Sequence, residues 1–138
     1  MPGQRGSVVN KYAVWFRRAV WGGVVANWVL AVPAIFAPEK VLDLLGLRPT
    51  ADPVWTAFAA LLLFLLSLFY IPGANHPHRY RFNAWLAVLA RAAGVLFFFT
   101  LASDDYLAFG IFDGFFFLIQ LPLLLLTMRV APPAVAKD

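Results

Sequence analysis

The sequence predicts an all-α membrane protein: a four-transmembrane-helix up-down-up-down bundle with a short interfacial helix after the first span. Three observations carry this. The 138 residues are 62% hydrophobic and only 13% charged, where a soluble domain carries about a quarter charged residues. Four apolar segments each approach the ~20 residues needed to cross a ~30 Å hydrocarbon core. The connections between them are short, so consecutive helices are expected to be antiparallel neighbours. Residues 1–138 are therefore read as a single integral membrane domain, with any chemistry confined to the helices and their turns.

The first helix is expected over about residues 14–37. Arg17 and Arg18 ahead of an apolar run ending in Ala34, Ile35, Phe36 and Ala37 also have the shape of a secretory leader. Because the chain retains this segment from Met1, it is counted as a helix. Pro38 suits a first helical position, Val41, Leu42, Leu44 and Leu45 give an apolar face, and Gly46 is a natural left-handed stop. These predict a short interfacial helix over 38–45. The second span is expected over 54–72, with Pro72, Gly73 and Pro77 forming a tight turn after it. The third is expected over 82–103 and the fourth over 106–128, followed by a Pro/Ala tail from Ala131 to Asp138. Tyr12, Trp15, Trp55, Tyr80 and Trp85 fall near segment ends, where amphipathic rings anchor at the headgroup level.

Charge sets the expected orientation. Arg5, Lys11, Arg17, Arg18, Arg79, Arg81, Arg129 and Lys137 fall on one side of the bundle, against Lys40 and Arg48 on the other. The positive-inside rule then predicts a multi-pass protein of the bacterial cytoplasmic (inner) membrane with both termini cytoplasmic. The net charge of +4 is distributed as topology signal and not as a basic surface, which argues against nucleic acid as a partner. The absence of cysteine excludes thiolate catalysis, cysteine-ligated zinc, iron–sulfur clusters and disulfides.

In the third and fourth spans, Arg91 and Asp113 are the charged residues, and Asn27 of the first and Gln120 of the fourth add polar side chains. At ~1.5 Å of rise per residue, Arg91 and Asp113 lie within about 3 Å of each other in depth, near mid-membrane. Asn27 and Gln120 are expected in the same layer. Tyr106, Asp113, Gln120 and Thr127 recur every seven residues, so they share the interior stripe of the last helix. Ala84, Ala87, Arg91 and Gly94 form a face of small residues on the third helix, as Gly23, Asn27 and Ala31 do on the first. Ala60, Ser67 and Tyr70 mark the inner side of the second.

Two readings of this layer stand side by side. In one, Arg91 and Asp113 neutralise each other, with Asn27 and Gln120 completing their hydrogen bonds, and the set specifies how the helices pack. In the other, Asn27, Tyr70, Arg91, Asp113 and Gln120 bind a polar head, and Arg91 and Asp113 are the pair that would carry catalysis if there is any. His76 and His78 lack further ligands at their depth, so no metal site is expected. The phenylalanines around 97–99 and 109–117 are expected to face lipid or a neighbouring membrane protein more than to line a pocket for a ring-bearing ligand.

Pro38-Glu39, Leu44-Leu45-Gly46-Leu47, Leu68-Phe69-Tyr70-Ile71 with Gly73-Ala74, His78-Arg79-Tyr80-Arg81, Arg91 with Gly94, and Asp113 form a familiar succession. With it, most of the chain resembles the small four-helix bacterial inner-membrane proteins grouped as DoxX-like. The resemblance implies that the family's basic residue in helix three and its Asp early in helix four correspond to Arg91 and Asp113. It points to redox or quinone partners, because the name-giving member is associated with quinone-linked thiosulfate oxidation, and it transfers no catalytic motif.

The leading functional expectation is a non-catalytic accessory subunit of a bacterial cytoplasmic-membrane complex, redox or photosynthetic, that shapes a quinone or lipid pocket. Its partners would be membrane lipid and other integral membrane subunits or copies of itself. The alternative is a small membrane enzyme or carrier that handles a lipid-soluble substrate with Arg91 and Asp113. The sequence itself requires no cofactor.

Overall fold

The computed structural model describes residues 10–130, and every described element is helical. The expected tail, together with Arg5 and Lys137 of the charge count, lies outside the described residues. Helices α1 (Lys11–Phe36), α3 (Pro53–Asn75), α4 (Arg81–Thr100) and α5 (Leu107–Arg129) are the long apolar elements, and α2 (Pro38–Leu44) is the short helix after α1. The four long helices have the length and composition to cross a membrane, so the protein is a multi-pass four-helix membrane bundle.

The helix ends have local causes. Helix α1 begins before the expected residue 14 because the Asn10 side-chain oxygen accepts from the amides of Tyr12 and Ala13 at 3.1 and 3.3 Å. The Asn10 amide also donates to the Thr127 carbonyl at 3.3 Å, joining the start of α1 to the end of α5. Asp52 caps α3 by accepting from the Val54 amide, with Pro53 as the first helical residue. After α2, Gly46 adopts φ +67°, and the Leu47 amide returns to the Leu42 carbonyl at 2.8 Å. That is the left-handed stop expected from Gly46, and it folds the chain back over the bundle.

Other boundaries differ from expectation as well. Helix α3 continues through Pro72 and Gly73 to Asn75, so these two residues lie inside the helix and not in a turn. Pro72 has no amide to donate to the Leu68 carbonyl, and the helix runs on past it to Asn75. Helix α4 stops at Thr100, short of Ser103, and a 3₁₀ turn over Asp104–Tyr106 leads into α5.

The long helices form a closed ring in which α1 packs on α3 and α5, and α4 packs on the same two, leaving α1 and α4 diagonal. Inside and outside are divided by size more than by polarity. Helix α3 buries Ala60, Ser67, Tyr70, Gly73 and Ala74 while exposing Leu61, Leu62, Leu65 and Phe69. Lipid is as apolar as leucine, so the helices gain by close approach between small residues while bulky side chains face outward. The tightest approach is at Gly73, where an added Cβ would run into the backbone of Asn83 and Ala84. A second tie lies alongside, from Asn83 Nδ2 to the Phe69 carbonyl at 2.7 Å. Below the mid-plane, Phe16, Val20 and Val24 of α1, Tyr70 of α3, Ala84, Ala87 and Val88 of α4 and Leu124 of α5 form the main packed cluster.

Charge divides between the two ends. Lys11, Arg17, Arg18, Arg79, Arg81 and Arg129 lie at the end where α1 starts, whereas Glu39, Asp43, Asp52, Asp104 and Asp105 lie at the end carrying α2. Trp15 and Trp55 are exposed near opposite ends, and Arg18 sits 5.0 Å over the Trp15 ring.

The Gly73 crossing leads to a paired prediction. Gly73→Ala should destabilise the bundle by about 1–3 kcal/mol, because backbone must move to admit the methyl group. Gly22→Ala meets nothing nearer than the Phe116 ring at 3.8 Å and should leave stability unchanged or raise it by up to about 1 kcal/mol. Thermal unfolding in detergent, followed by circular dichroism, checks both.

Candidate functional site

Helix periodicity brings one polar residue from each long helix to the same level. Arg91 on α4 points across the ring, and its Nη1 donates to Asp113 Oδ1 on α5 at 2.6 Å. Its Nη2 donates to the Gly23 carbonyl at 3.3 Å and to Asn27 Oδ1 at 3.2 Å, both on α1. Asn27 Nδ2 donates to Ser67 Oγ on α3 at 2.9 Å, and Ser67 donates in turn to the Leu63 carbonyl at 2.8 Å. One continuous hydrogen-bond chain therefore links α5, α4, α1 and α3 through the middle of the bundle.

Small residues make this possible. A Cβ on Gly94 would collide with the Asp113 carboxylate, and one on Gly23 would fall 2.8 Å from Arg91 Nη2. The guanidinium also lies 5.2 Å over the Phe112 ring and 5.1 Å over Phe116, two residues one turn apart on α5. Such a cation over desolvated aromatic faces gains about 2 kcal/mol or more. The Arg91 side chain is 6% exposed and that of Asp113 is 15% exposed, so the carboxylate is the member of the pair with open space beside it.

That space is a cavity of about 520 Å³ inside the ring, at the end carrying α2. Asn27, Arg91 and Asp113 form its deep polar end. Its walls are apolar: Leu30, Ala31 and Ala34 of α1, Ala59, Ala60 and Leu63 of α3, Phe98 of α4, and Phe109 and Phe112 of α5. Leu42, Leu45 and Leu47 cover it from α2 and the segment after it, and Thr50, Trp55, Thr56 and Tyr106 sit around the mouth. From Tyr106 to Asp113, or from Thr56 to Leu63, the cavity runs along two turns of helix, about 10 Å. Its volume lies in the range of small-molecule sites.

The expected polar layer is thus partly assembled and partly redistributed. Asn27, Arg91 and Asp113 come together as expected. Gln120 does not complete the hydrogen bonds of the pair: its Nε2 donates to the Ala19 carbonyl at 3.2 Å, one turn nearer the α1 start, and it clamps α1 to α5. Tyr70 is buried in the packed cluster on the far side of the layer. Neither Gln120 nor Tyr70 lines the cavity. Ser67, marked in the sequence only as an inner-face residue, turns out to anchor the hydrogen-bond chain. Its signal was the i+7 step from Ala60 onto the same face.

The aromatic belt divides in the same way. Phe97, Phe99 and Phe115 are exposed, as expected for rings facing lipid or a neighbour. Phe98, Phe109 and Phe112 instead line the cavity, and Phe116 lies under the guanidinium. His76 sits in the α3–α4 turn with its ring 6.4 Å from that of Tyr80. Among the described residues, no three potential metal-binding side chains cluster.

The site can offer a ligand both kinds of hydrogen bond. A guanidinium has more N–H groups than Asp113, Gly23 and Asn27 occupy, and a carboxylate has more lone pairs than the one bond from Arg91 uses. Because the two charges cancel, a neutral polar group suits this end better than an ion, which would bring an uncompensated charge to mid-membrane. No family model, curated protein or solved structure matches this chain.

The ion pair predicts a non-additive mutational pattern. Arg91→Ala or Asp113→Ala leaves one buried charge alone and should cost about 3–5 kcal/mol. The double replacement Arg91→Met with Asp113→Leu removes both charges and should recover most of the loss. Unfolding of the single and double variants in mixed detergent tests this; equal, additive losses would mean that the pair is not coupled.

Proposed function

We propose that this chain is a non-catalytic accessory subunit of a bacterial cytoplasmic-membrane complex and that it holds a neutral, lipid-soluble amphiphile in the cavity beneath α2. The observation that carries the reading is a cavity of about 520 Å³ with apolar walls that ends on Arg91, Asp113 and Asn27. A glycerolipid keeps its charged head at the interface, whereas the polar end of this cavity lies roughly half-way through the bundle. The ligand that fits is a weakly polar one whose carbonyl or hydroxyl can live at that depth. A quinone-like ring with an apolar tail has this chemistry, and the resemblance to DoxX-like proteins favours the same class.

The proposed topology has both termini in the cytoplasm. Clustering of the described cations at the α1 start and of the carboxylates at the α2 end supports it. The cavity would then open toward the outer half of the membrane. Phe97, Phe99, Phe115 and Leu118 on the outer faces of α4 and α5 are the surface offered to larger membrane subunits.

A second reading, a small membrane enzyme or carrier, is favoured by one detail. Asp113 is a carboxylate at the polar end of the cavity, a group able to exchange a proton with a bound hydroxyl. The two readings separate on Asp113→Asn, which keeps the shape and removes the base.

The tagged protein, purified in mild detergent and subjected to lipid extraction and mass spectrometry, should carry a neutral lipophilic molecule and larger membrane subunits in stoichiometric amounts. Ala60→Phe, which fills the cavity wall, should lose the small molecule while keeping helical content and subunit recovery. A solitary, stable protein whose Asp113→Asn form binds ligand but no longer turns it over would move the assignment to the enzyme or carrier.

A further inference from the structure

A ligand that lives in lipid and binds inside a closed helical ring needs a way between the helices. A second hollow, of about 250 Å³, lies at the α1–α5 seam at the same end of the bundle. Ala26 of α1 and Asp105 and Ala108 at the start of α5 belong to it alone. Asn27, Leu30, Leu45, Leu47, Phe109 and Phe112 line both it and the main cavity. The two hollows thus share a wall of side chains that is apolar except for Asn27. At this end α4 and α5 meet closely at Gly110, where an added Cβ would run into Phe98 and Phe99, and α1 is tied to α3 through Asn27 and Ser67 in the layer below. At the α1–α5 seam the Gln120 bond to Ala19 holds the opposite half, leaving the half beside the hollow without such a clamp.

We infer that the α1–α5 seam is a lateral portal through which the apolar amphiphile passes between bilayer and cavity. Leu30 and Phe109 form the movable wall. Leu45 and Leu47 roof the passage, and the strap that carries them pivots at Gly46 and reaches across the seam, where Arg48 meets Asp105 at 3.5 Å. That contact is exposed and weak, so it tethers the strap without locking it. Rotation of Phe109 and Leu30 joins the two hollows into one path that leads an incoming polar group along α1 to Asn27, Arg91 and Asp113. The apolar tail follows the polar group through the seam hollow into the main cavity.

This inference rests on the ligand-binding reading above, and the experiment separates the two. The protein is placed in phosphatidylcholine nanodiscs, a long-chain alcohol bearing a diazirine is added, and light flashes at successive times label the chain. Labelling of Ala31 and Ala60, buried residues that line the main cavity but not the seam, reports arrival inside. Ala108→Trp fills the seam without touching the main cavity and should slow labelling about tenfold, leaving the final extent unchanged. Phe109→Ala, which thins the wall, should speed it. If Ala108→Trp labels at the wild-type rate, or reaches a lower final extent at an unchanged rate, the portal is refuted. A failure of Ala108→Trp to fold leaves Phe109→Ala to decide, and an unaltered rate there refutes the portal equally. Arg91→Met with Asp113→Leu should lower the final extent in an otherwise intact bundle. If the wild-type chain shows no saturable labelling of Ala31 and Ala60, the ligand-binding reading itself falls, and the portal with it.

Discussion

Burying a guanidinium and a carboxylate half-way through an apolar slab is the most expensive step in folding this chain, and the arrangement of the bundle follows from how that cost is met. Neither Arg91 nor Asp113 can face lipid without several kcal/mol of penalty. They come from neighbouring helices, so each fixes the rotation of the other about its axis. Two further acceptors, the Gly23 carbonyl and Asn27 Oδ1, lie across the ring on α1. Satisfying Arg91 therefore sets the distance between diagonal helices as well as adjacent ones. Ser67 extends the constraint to α3 through Asn27.

In water, the apolar residues of a bundle would gather by themselves and the polar groups would only refine the result. In lipid that driving force is missing between helices. Uniqueness must come from contacts that tolerate no slippage. The hydrogen-bond chain at mid-membrane is one such contact, and the steric fit at Gly73, Gly94 and Gly23 is another. A rotation of α4 by one residue would turn Arg91 out of reach of Asp113 and put a side chain where Gly94 now admits the carboxylate.

The same constraint explains why the cavity lies where it does. Below the polar layer, Phe16, Val20, Val24, Val88 and Leu124 fill the ring. Above it, the facing residues are small: Ala31 and Ala34 of α1 and Ala60 of α3. Helices held apart by a salt-bridged layer and lined with alanines leave space between them, which α2 and its following segment cover from the end. Packing support and ligand chemistry thus meet in the same residues, and the structural and the binding reading of Arg91 and Asp113 are compatible. The pair can organise the helices and still form the polar end of the cavity.

The sequence by itself determined the four spans, the short helix ended by Gly46, the segregation of charge between the two ends, and the equal depth of Arg91 and Asp113. All of these depend on length, local backbone preference or the fixed rise of a helix, which are properties of one segment at a time. It also marked the inner stripes, because small and polar residues at helical spacing in lipid have nowhere else to go. Only the tertiary structure decided which helices are diagonal, that Gln120 clamps α1 through Ala19 while Arg91 is completed by Gly23 and Asn27, and that Phe98, Phe109 and Phe112 turn inward. It alone shows a cavity between the polar layer and α2. These depend on the relative rotation and tilt of helices several turns apart. A hydrogen-bond donor or an aromatic ring in a periodic sequence has several equally spaced partners, and only the packed bundle selects among them.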